Sequence, residues 1–241
     1  MAHRWRERLA TQVGTRNESD RDAWVKGVLA RIPAGARILD AGAGEQRYKP
    51  SCTHLHYVAQ DFARYDGLGD GKGLHTGSWD QSGLDIVCDI TAIPEPDASY
   101  DAVLCIEVLE HLPEPLAGLR ELSRILKQGG TLILSAPFCS LTHFAPYHFT
   151  TGFTVYFYRH HLPGLGFEIV EATPNGNYFE YLAQELRRLP QIAERYAIDK
   201  LKKREHILLG LLLRILDRFG KKDAGSSQLL NYGYHILARK R

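Results

Sequence analysis

The stretch Arg37-Ile38-Leu39-Asp40-Ala41-Gly42-Ala43-Gly44-Glu45 runs from short and apolar into two closely spaced glycines. Short apolar runs bounded by turn residues mark strands buried on both faces. Glycines just past such a strand let the backbone turn tightly and let a ligand approach the main chain. Four further runs have the same character: His56–Asp61, Asp85–Asp89, Asp101–Ile106 and Thr131–Ser135. Between the last two, Leu116, Leu119, Leu122, Ile125 and Leu126 follow helical spacing, which predicts a helix over Pro115–Lys127 stopped by Gly129-Gly130. Strand, helix, strand at these lengths means parallel crossovers and an open, doubly wound α/β sheet. Ser19 or Asp20 is placed to cap a preceding helix through Leu29, ended by Pro33 and Gly35.

Two regions break the alternation. Residues 67–83 (GLGDGKGLHTGSWDQSG) are glycine-rich and aperiodic where a crossover helix is expected. A loop that long in a compact domain is usually functional or mobile. Residues 177–231 carry two helical patterns, Tyr178–Leu189 and Lys200–Arg218, before Tyr232–Ala238 returns to a strand pattern. The expected plan is one domain over 1–241. It has an N-terminal helical cap (1–35), a core (36–176), a helical insertion (177–231) and a final strand (232–241).

With 241 residues, 44% hydrophobic and 24% charged, the chain has ordinary globular composition. Cys52, Cys88, Cys105 and Cys139 form no CxxC pair, which argues against a zinc ribbon or a thioredoxin-like site. The N-terminal MAHRWRERLATQ lacks the apolar core of a secretory leader, so a cytoplasmic placement is expected. The stretch Ile207–Phe219 is too short and too charged to span a bilayer. From Arg187 onward there are 14 Lys/Arg against 5 Asp/Glu, a net of +9, while the remainder carries −7. A basic quarter of this kind can face an anionic partner or can be solvated helix surface.

The strand ends carry polar residues where open α/β sheets bind ligands. Asp61 ends the second run and can accept both hydroxyls of a ribose, with Phe62 beside it to pack on a base. Asp89-Ile90 offers a carboxylate for an exocyclic amine and a backbone N–H for a ring nitrogen; Asp89 can equally cap the next turn. Cys105-Ile106-Glu107-Val108-Leu109-Glu110-His111-Leu112-Pro113 follows the fourth run.

Taken together, ILDAGAG, the acid of VAQDF, the Asp-Ile pair, AVLCIEVLEHL and LKQGGTLILSAPF resemble class I S-adenosylmethionine-dependent methyltransferases of the type 11 domain family, over about residues 37–138. The resemblance implies a Rossmann-like seven-stranded sheet in the order 3-2-1-4-5-7-6 with strand seven antiparallel. Glu168–Glu171 and Tyr234–Ala238 would be the last two strands. It implies S-adenosyl-L-methionine as cofactor, with Asp40, Ala41, Gly42 and Gly44 at its methionine part, Asp61 and Phe62 at the ribose and adenine, Asp89 and Ile90 at the adenine, and Ile106 and Glu107 beside the sulfonium. Gln46 stands where the family often has another glycine, which brings Arg47 and Tyr48 forward as further cofactor contacts. The 67–83 loop, in place of the usual helix, is expected to fold over the adenosine.

The segment after the fifth run, His143-Phe144-Ala145-Pro146-Tyr147-His148-Phe149, leaves a central strand toward the pocket mouth. Histidine has a proton affinity suited to general-base work near neutral pH. His148 is the first candidate base, supported by His143 and Tyr147, with His111 as a second candidate; each can instead be structural. His143 and His148 have no evident third ligand, so no metal is expected. HFAPYHF and the later GFEIVEATPNG loosely resemble methyltransferases of cell-surface polysaccharide pathways, which implies O-methylation of a sugar or lipid-linked saccharide. Methylation of a quinone or other lipid at a membrane surface is the other enzymatic possibility, and a non-catalytic subunit that binds a partner through its basic helices is the third. The basic-flanked apolar helix in 200–222 fits peripheral contact with the inner face of a membrane; its wide apolar arc fits burial or a second copy of the chain equally well. No NPPY-type motif or nucleic-acid reading module is present, so no nucleic-acid partner is expected.

Overall fold

The computed structural model describes residues 11–241. They form two compact units: Asp22–Thr173 with Gly233–Arg241, and Pro174–Tyr232 with the segment up to Arg21. The helical insertion gathers with the N-terminal segment into a compact unit of its own. Residues 1–10 of the expected N-terminal cap lie outside the described residues. Helix α1 (Asn17–Leu29) begins two residues before Ser19, so Ser19 and Asp20 sit inside its first turn and do not cap it.

Seven strands, β1 (Arg37–Ala41), β2 (His56–Asp61), β3 (Ile86–Val87), β4 (Tyr100–Ile106), β5 (Leu126–Pro137), β6 (Phe167–Asn175) and β7 (Gly233–Lys240), make one sheet. Its order is β3-β2-β1-β4-β5-β7-β6. Strand β1 is parallel to β2 and β4, β4 is parallel to β5, and β7 is antiparallel to β5. The order and the reversed last strand are as the sequence implied.

The centre of the sheet is apolar on both faces, and alternation along β1 divides it. Leu39 and Ala41 pack into one core with Val103, Leu132 and helix α2 (Pro115–Ile125), which contributes Leu119, Leu122 and Ile125. Tyr158 and Leu162 of helix α3 (Val155–Gly164) join the same core. Ile38 faces the other way and meets Val25, Val28 and Leu29 of α1, with Ala102, Leu104 and Ile133. Register places Leu39 opposite both Val58 and Val103, which leaves β1 central with no free edge.

Two elements differ from expectation. Helix α2 does not stop at Gly129-Gly130: Leu126 is already extended, and the two glycines lie within β5. Lys240 Nζ hydrogen-bonds the carbonyls of Ser123 and Leu126 at 2.6 and 2.8 Å, a lysine cap from β7 that makes a glycine stop unnecessary. The third strand shrinks to Ile86–Val87. Asp85 instead clasps Ala59, donating its N–H to the Ala59 carbonyl and accepting the Ala59 N–H on Oδ2, and so ends the ladder at the sheet edge.

In the other unit, helix α4 (Tyr178–Ile192) starts at Asn177, whose side chain accepts the N–H groups of Phe179 and Glu180. Helix α5 (Lys203–Gly220) follows a π-type turn at Ala193–Ala197. Val13, Ala183 and Leu213 form a small core between the N-terminal segment, α4 and α5. Leu213 is the buried residue of α5, whereas Ile207, Leu208, Leu211, Leu212, Ile215 and Phe219 stay exposed. No helix among the described residues is long and apolar enough to cross a membrane.

Leu122 is fully buried in the larger core. Leu122→Ala is expected to lower unfolding free energy by about 2–5 kcal/mol, read from urea denaturation of the full chain.

Candidate active site

The carboxyl ends of β1, β2 and β4, with the connections that leave β3 and β5, surround a cavity of about 460 Å³. That volume suits a nucleotide-sized ligand. Eight of the residues singled out from sequence line it: Gly42, Asp61, Phe62, Asp89, Ile90, Glu107, His111 and Tyr147.

The first glycine turn is built by close approach. Gly42 has φ +77°, and a Cβ there would stand 2.4 Å from Val108 Cγ2. Gly44 donates its N–H to Asp61 Oδ2 at 2.9 Å, while Asp61 Oδ1 accepts the N–H of Ala63 at 2.9 Å. Asp61 thereby clamps the turn after β1 to the turn after β2, and its remaining lone pairs are left for a ligand. Asp89 spends Oδ1 on the N–H and hydroxyl of Thr91, so it caps its own turn and also lines the cavity. Gln46 keeps a left-handed backbone, φ 57°, where a glycine would do so without strain.

Several expected contacts lie elsewhere. Asp40 points to the α1 side of the sheet, buried, with Tyr57 Oη donating to Oδ2 at 2.6 Å. Burial pushes its carboxyl up to about 7, against the lowering effect of Tyr57. Ala41 belongs to the larger core, and Ile106 packs against the α1 core. Tyr48 is in the α1 core and donates its hydroxyl to Asp22 Oδ1 at 2.9 Å; Arg47 pairs with the same Asp22. Neither residue lines the cavity, because the left-handed Gln46 turns the chain toward α1 before they are reached.

The 67–83 segment has no helix or strand, as expected, and is bound to the segment after β5. Leu74 donates to the Thr142 carbonyl and accepts from Phe144 N–H, both at 3.0 Å, and Asp70 donates to the Ala145 carbonyl. Its glycines serve close packing: a Cβ on Gly67 would collide with the Gly77 carbonyl oxygen. The two segments set Trp79 and Phe144 on the cavity wall beside Tyr65. Tyr65 stacks on Phe144 at 4.6 Å, and Trp79 meets both edge-on at 5.0 and 5.2 Å. Tyr65 and Trp79 were not picked out from sequence, since a ring in an aperiodic loop carries no signal of where it lands.

The histidines converge beside this wall. The His111 and His143 ring centroids are 4.7 Å apart, as are those of His143 and His148. His111 lines the cavity; His143 and His148 stand behind it. The His111 Nδ1 donates to the Tyr147 carbonyl and the His143 Nδ1 to the Leu141 carbonyl, since a carbonyl only accepts. Burial, then the neighbouring His143, holds His111 down at about 3, so it is neutral. His148 is held below its usual value by burial and His143, and contacts Ser140 Oγ at 3.1 Å. Ser135 Oγ donates to Glu107 Oε1 at 2.8 Å, and Glu107 itself is strained at φ 55°. Glu110, which the sequence reading passed over, is fully buried, and neither carboxylate oxygen has a hydrogen-bond partner.

Residues 39–134 match a family model described as a methyltransferase domain. The ubiquinone biosynthesis O-methyltransferase of Xanthomonas axonopodis pv. citri (strain 306) is 38% identical over 112 residues, 45% of this chain and 46% of that protein. The match thus spans less than half of that relative. A SAM-dependent methyltransferase from Archaeoglobus fulgidus has the same fold, with a TM-score of 0.55 at 19% identity over 91% of this chain and 94% of that one. The cyclase SpnF also has the fold, with a TM-score of 0.52 at 18% identity over 90% of this chain and 80% of that one. The fold therefore hosts more than one chemistry, and the reaction must be argued from the site.

Gly42→Ala forces a methyl into Val108 at a left-handed position and is expected to cost about 1–3 kcal/mol of stability and to close the cavity; calorimetric titration with the cofactor reads the loss. Asp40 binds its proton more tightly folded than unfolded, where its value is 3.8. Its favourable contribution is full below that value and is lost as pH rises to about 7. Asp40→Asn should therefore gain stability relative to wild type across that window, measured by denaturation at a series of pH values; a pH-independent difference would refute the assignment.

Proposed function

We propose that this chain, which carries a class I methyltransferase domain with S-adenosyl-L-methionine as its cofactor, O-methylates a ring hydroxyl of a quinone-type lipid. The observation that carries the methyl-transfer reading is the cavity at the strand ends, walled by Gly42, Asp61, Asp89 and Glu107. These residues fit the cofactor. Gly42 has no side chain to exclude it, Asp61 is pre-set by two backbone N–H groups to accept a ribose diol, and Ile90 offers an apolar wall to an adenine.

When bound, the cofactor supplies a methyl group already activated on a sulfonium, so the protein has mainly to align the acceptor and exclude water. Phe144, Tyr65 and Trp79 offer faces and edges to a planar ring, and together with Tyr147 they cover the cavity against water. The histidine cluster lies beside the ring-binding wall, where the acceptor's hydroxyl proton is to be lost. His111 is the member in contact with the cavity; His148, first choice from sequence, stands one layer back.

Two observations favour the lipid over the saccharide. One is that the 38% identical relative is a ubiquinone biosynthesis O-methyltransferase. The other is α5, whose exposed Ile207, Leu208, Leu211 and Leu212 lie between Lys202-Lys203-Arg204 and Lys221-Lys222. Apolar residues flanked by cations suit the interface of an anionic membrane.

Asp61→Ala should weaken cofactor binding by about 10–100-fold, the range of a charged hydrogen bond, in isothermal titration. No binding to folded wild type would sink the reading. Against a panel of ring-hydroxylated quinols and nucleotide-linked sugars, labelled methyl is expected on the quinols; transfer to the sugars would replace the acceptor class. Full-length protein should sediment with vesicles containing phosphatidylglycerol, salt-sensitively, and Leu208→Asp with Leu212→Asp should leave it in the supernatant. Equal sedimentation of the variant would remove α5 from the account.

A further inference from the structure

Three donor atoms meet behind the cavity wall without an established task. Glu110, in the turn after β4, has 0% exposure and two unpartnered carboxylate oxygens. His111 Nε2 lies 3.6 Å from Glu110 Oε1, and His143 Nε2 lies 3.8 Å from the same atom. Those separations are longer than hydrogen bonds. One donor atom from each of the three residues falls within a group no wider than 4.8 Å.

From this geometry we propose that Glu110, His111 and His143 bind a divalent first-row transition cation, of which zinc is the type. Ligands held at about 2.1 Å in a tetrahedral arrangement stand about 3.4 Å apart, so the two spacings to Glu110 need to close by a few tenths of an ångström, and a set no wider than 4.8 Å contracts onto an ion by a modest turn of the partly buried His143 ring. The donor set is two imidazoles and one carboxylate, which suits zinc or a neighbouring transition ion and does not suit magnesium or calcium, whose ligands are oxygens.

The supporting hydrogen bonds agree. Each histidine commits its Nδ1–H to a backbone carbonyl, His111 to Tyr147 and His143 to Leu141. That fixes the tautomer in which Nε2 is the lone-pair donor and holds the ring in place, as outer partners of metal-ligating histidines do. A buried carboxylate with no hydrogen bonds is costly unless something cationic faces it. The expectation of no metal rested on the lack of a third partner for His143 and His148. Folding supplies that partner in Glu110 and replaces His148 with His111. Three protein ligands leave a position open, the pattern of a reactive metal site rather than a closed structural one. His111 lines the cavity, so an ion held by its Nε2 would lie next to that space.

The test is independent of the acceptor. Full-length protein is freed of metal by chelation and dialysis, then titrated with Co²⁺ under visible absorption and with Zn²⁺ by competition. One equivalent should bind with the absorption of a low-coordinate nitrogen and oxygen site, and Zn²⁺ should displace it. Melting temperature should rise with free Zn²⁺ in wild type. His143→Ala, only partly buried, should fold and bind at least about 100-fold more weakly, a loss no smaller than removal of an outer partner brings. His143→Gln serves as a second variant if the first fails to fold. His160→Ala with His161→Ala, on α3, should bind as wild type does. Absence of binding to folded metal-free wild type, or undiminished binding by the His143 variants, would overturn the proposal. So would loss of binding in the α3 variant.

Discussion

A single carboxylate holds the two turns on which the cavity depends. Asp61 ends β2 with its side chain buried, and it accepts one N–H from the glycine turn after β1 and one from its own turn at Ala63. The glycine turn can close only because Gly42 lacks a side chain where Val108 packs. Val108 belongs to the connection that also carries Glu107, Glu110 and His111. The walls of the cavity at β1, β2 and β4 are therefore set by one hydrogen-bonded clamp and one close apolar contact. Displacing either moves all three strand ends.

The second layer of the site is made by loops that would have no fixed shape alone. Residues 67–83 contain no helix or strand, and they gain order by exchanging backbone hydrogen bonds with residues 142–145. This pairing brings Trp79 and Tyr65 against Phe144 and leaves the histidines of the second segment next to Glu110. Glycine density, an apparent sign of flexibility, here permits close backbone contact. Glu107 and Phe144 are left-handed without being glycine, and both line the cavity.

The smaller unit obeys a different constraint. Its core is small, with Val13, Ala183 and Leu213 at the centre, and much of α5's apolar surface remains outside it. A helix that keeps leucines in solvent between clusters of lysine and arginine is matched to a surface both apolar and anionic. The proposed methyl transfer and the proposed membrane contact thus fall on different parts of the chain.

The sheet was legible in the sequence because strands buried on both faces must be apolar runs, and because Gly and Asp at their ends mark where the ladder stops. Arg37–Ala41, His56–Asp61 and Tyr100–Ile106 came out within a residue of their expected bounds for that reason. Gly42, Asp61 and Asp89 were legible too, since each follows directly from its place at a strand end. The end of α2 was not, because the group that caps it, Lys240, comes from the far end of the chain. Tyr48 was misplaced because the backbone direction after Gln46 is a matter of one dihedral angle. Tyr65, Trp79 and Glu110 carried no pattern at all: what they touch is set by loops packing on loops. The sequence by itself therefore determined the sheet and the strand ends that line the cavity, whose residues answer to local burial and turn chemistry. Only the tertiary structure decided which aromatic rings wall the cavity and which donors surround Glu110, because those contacts join segments distant in the chain through backbone geometry that no residue type announces.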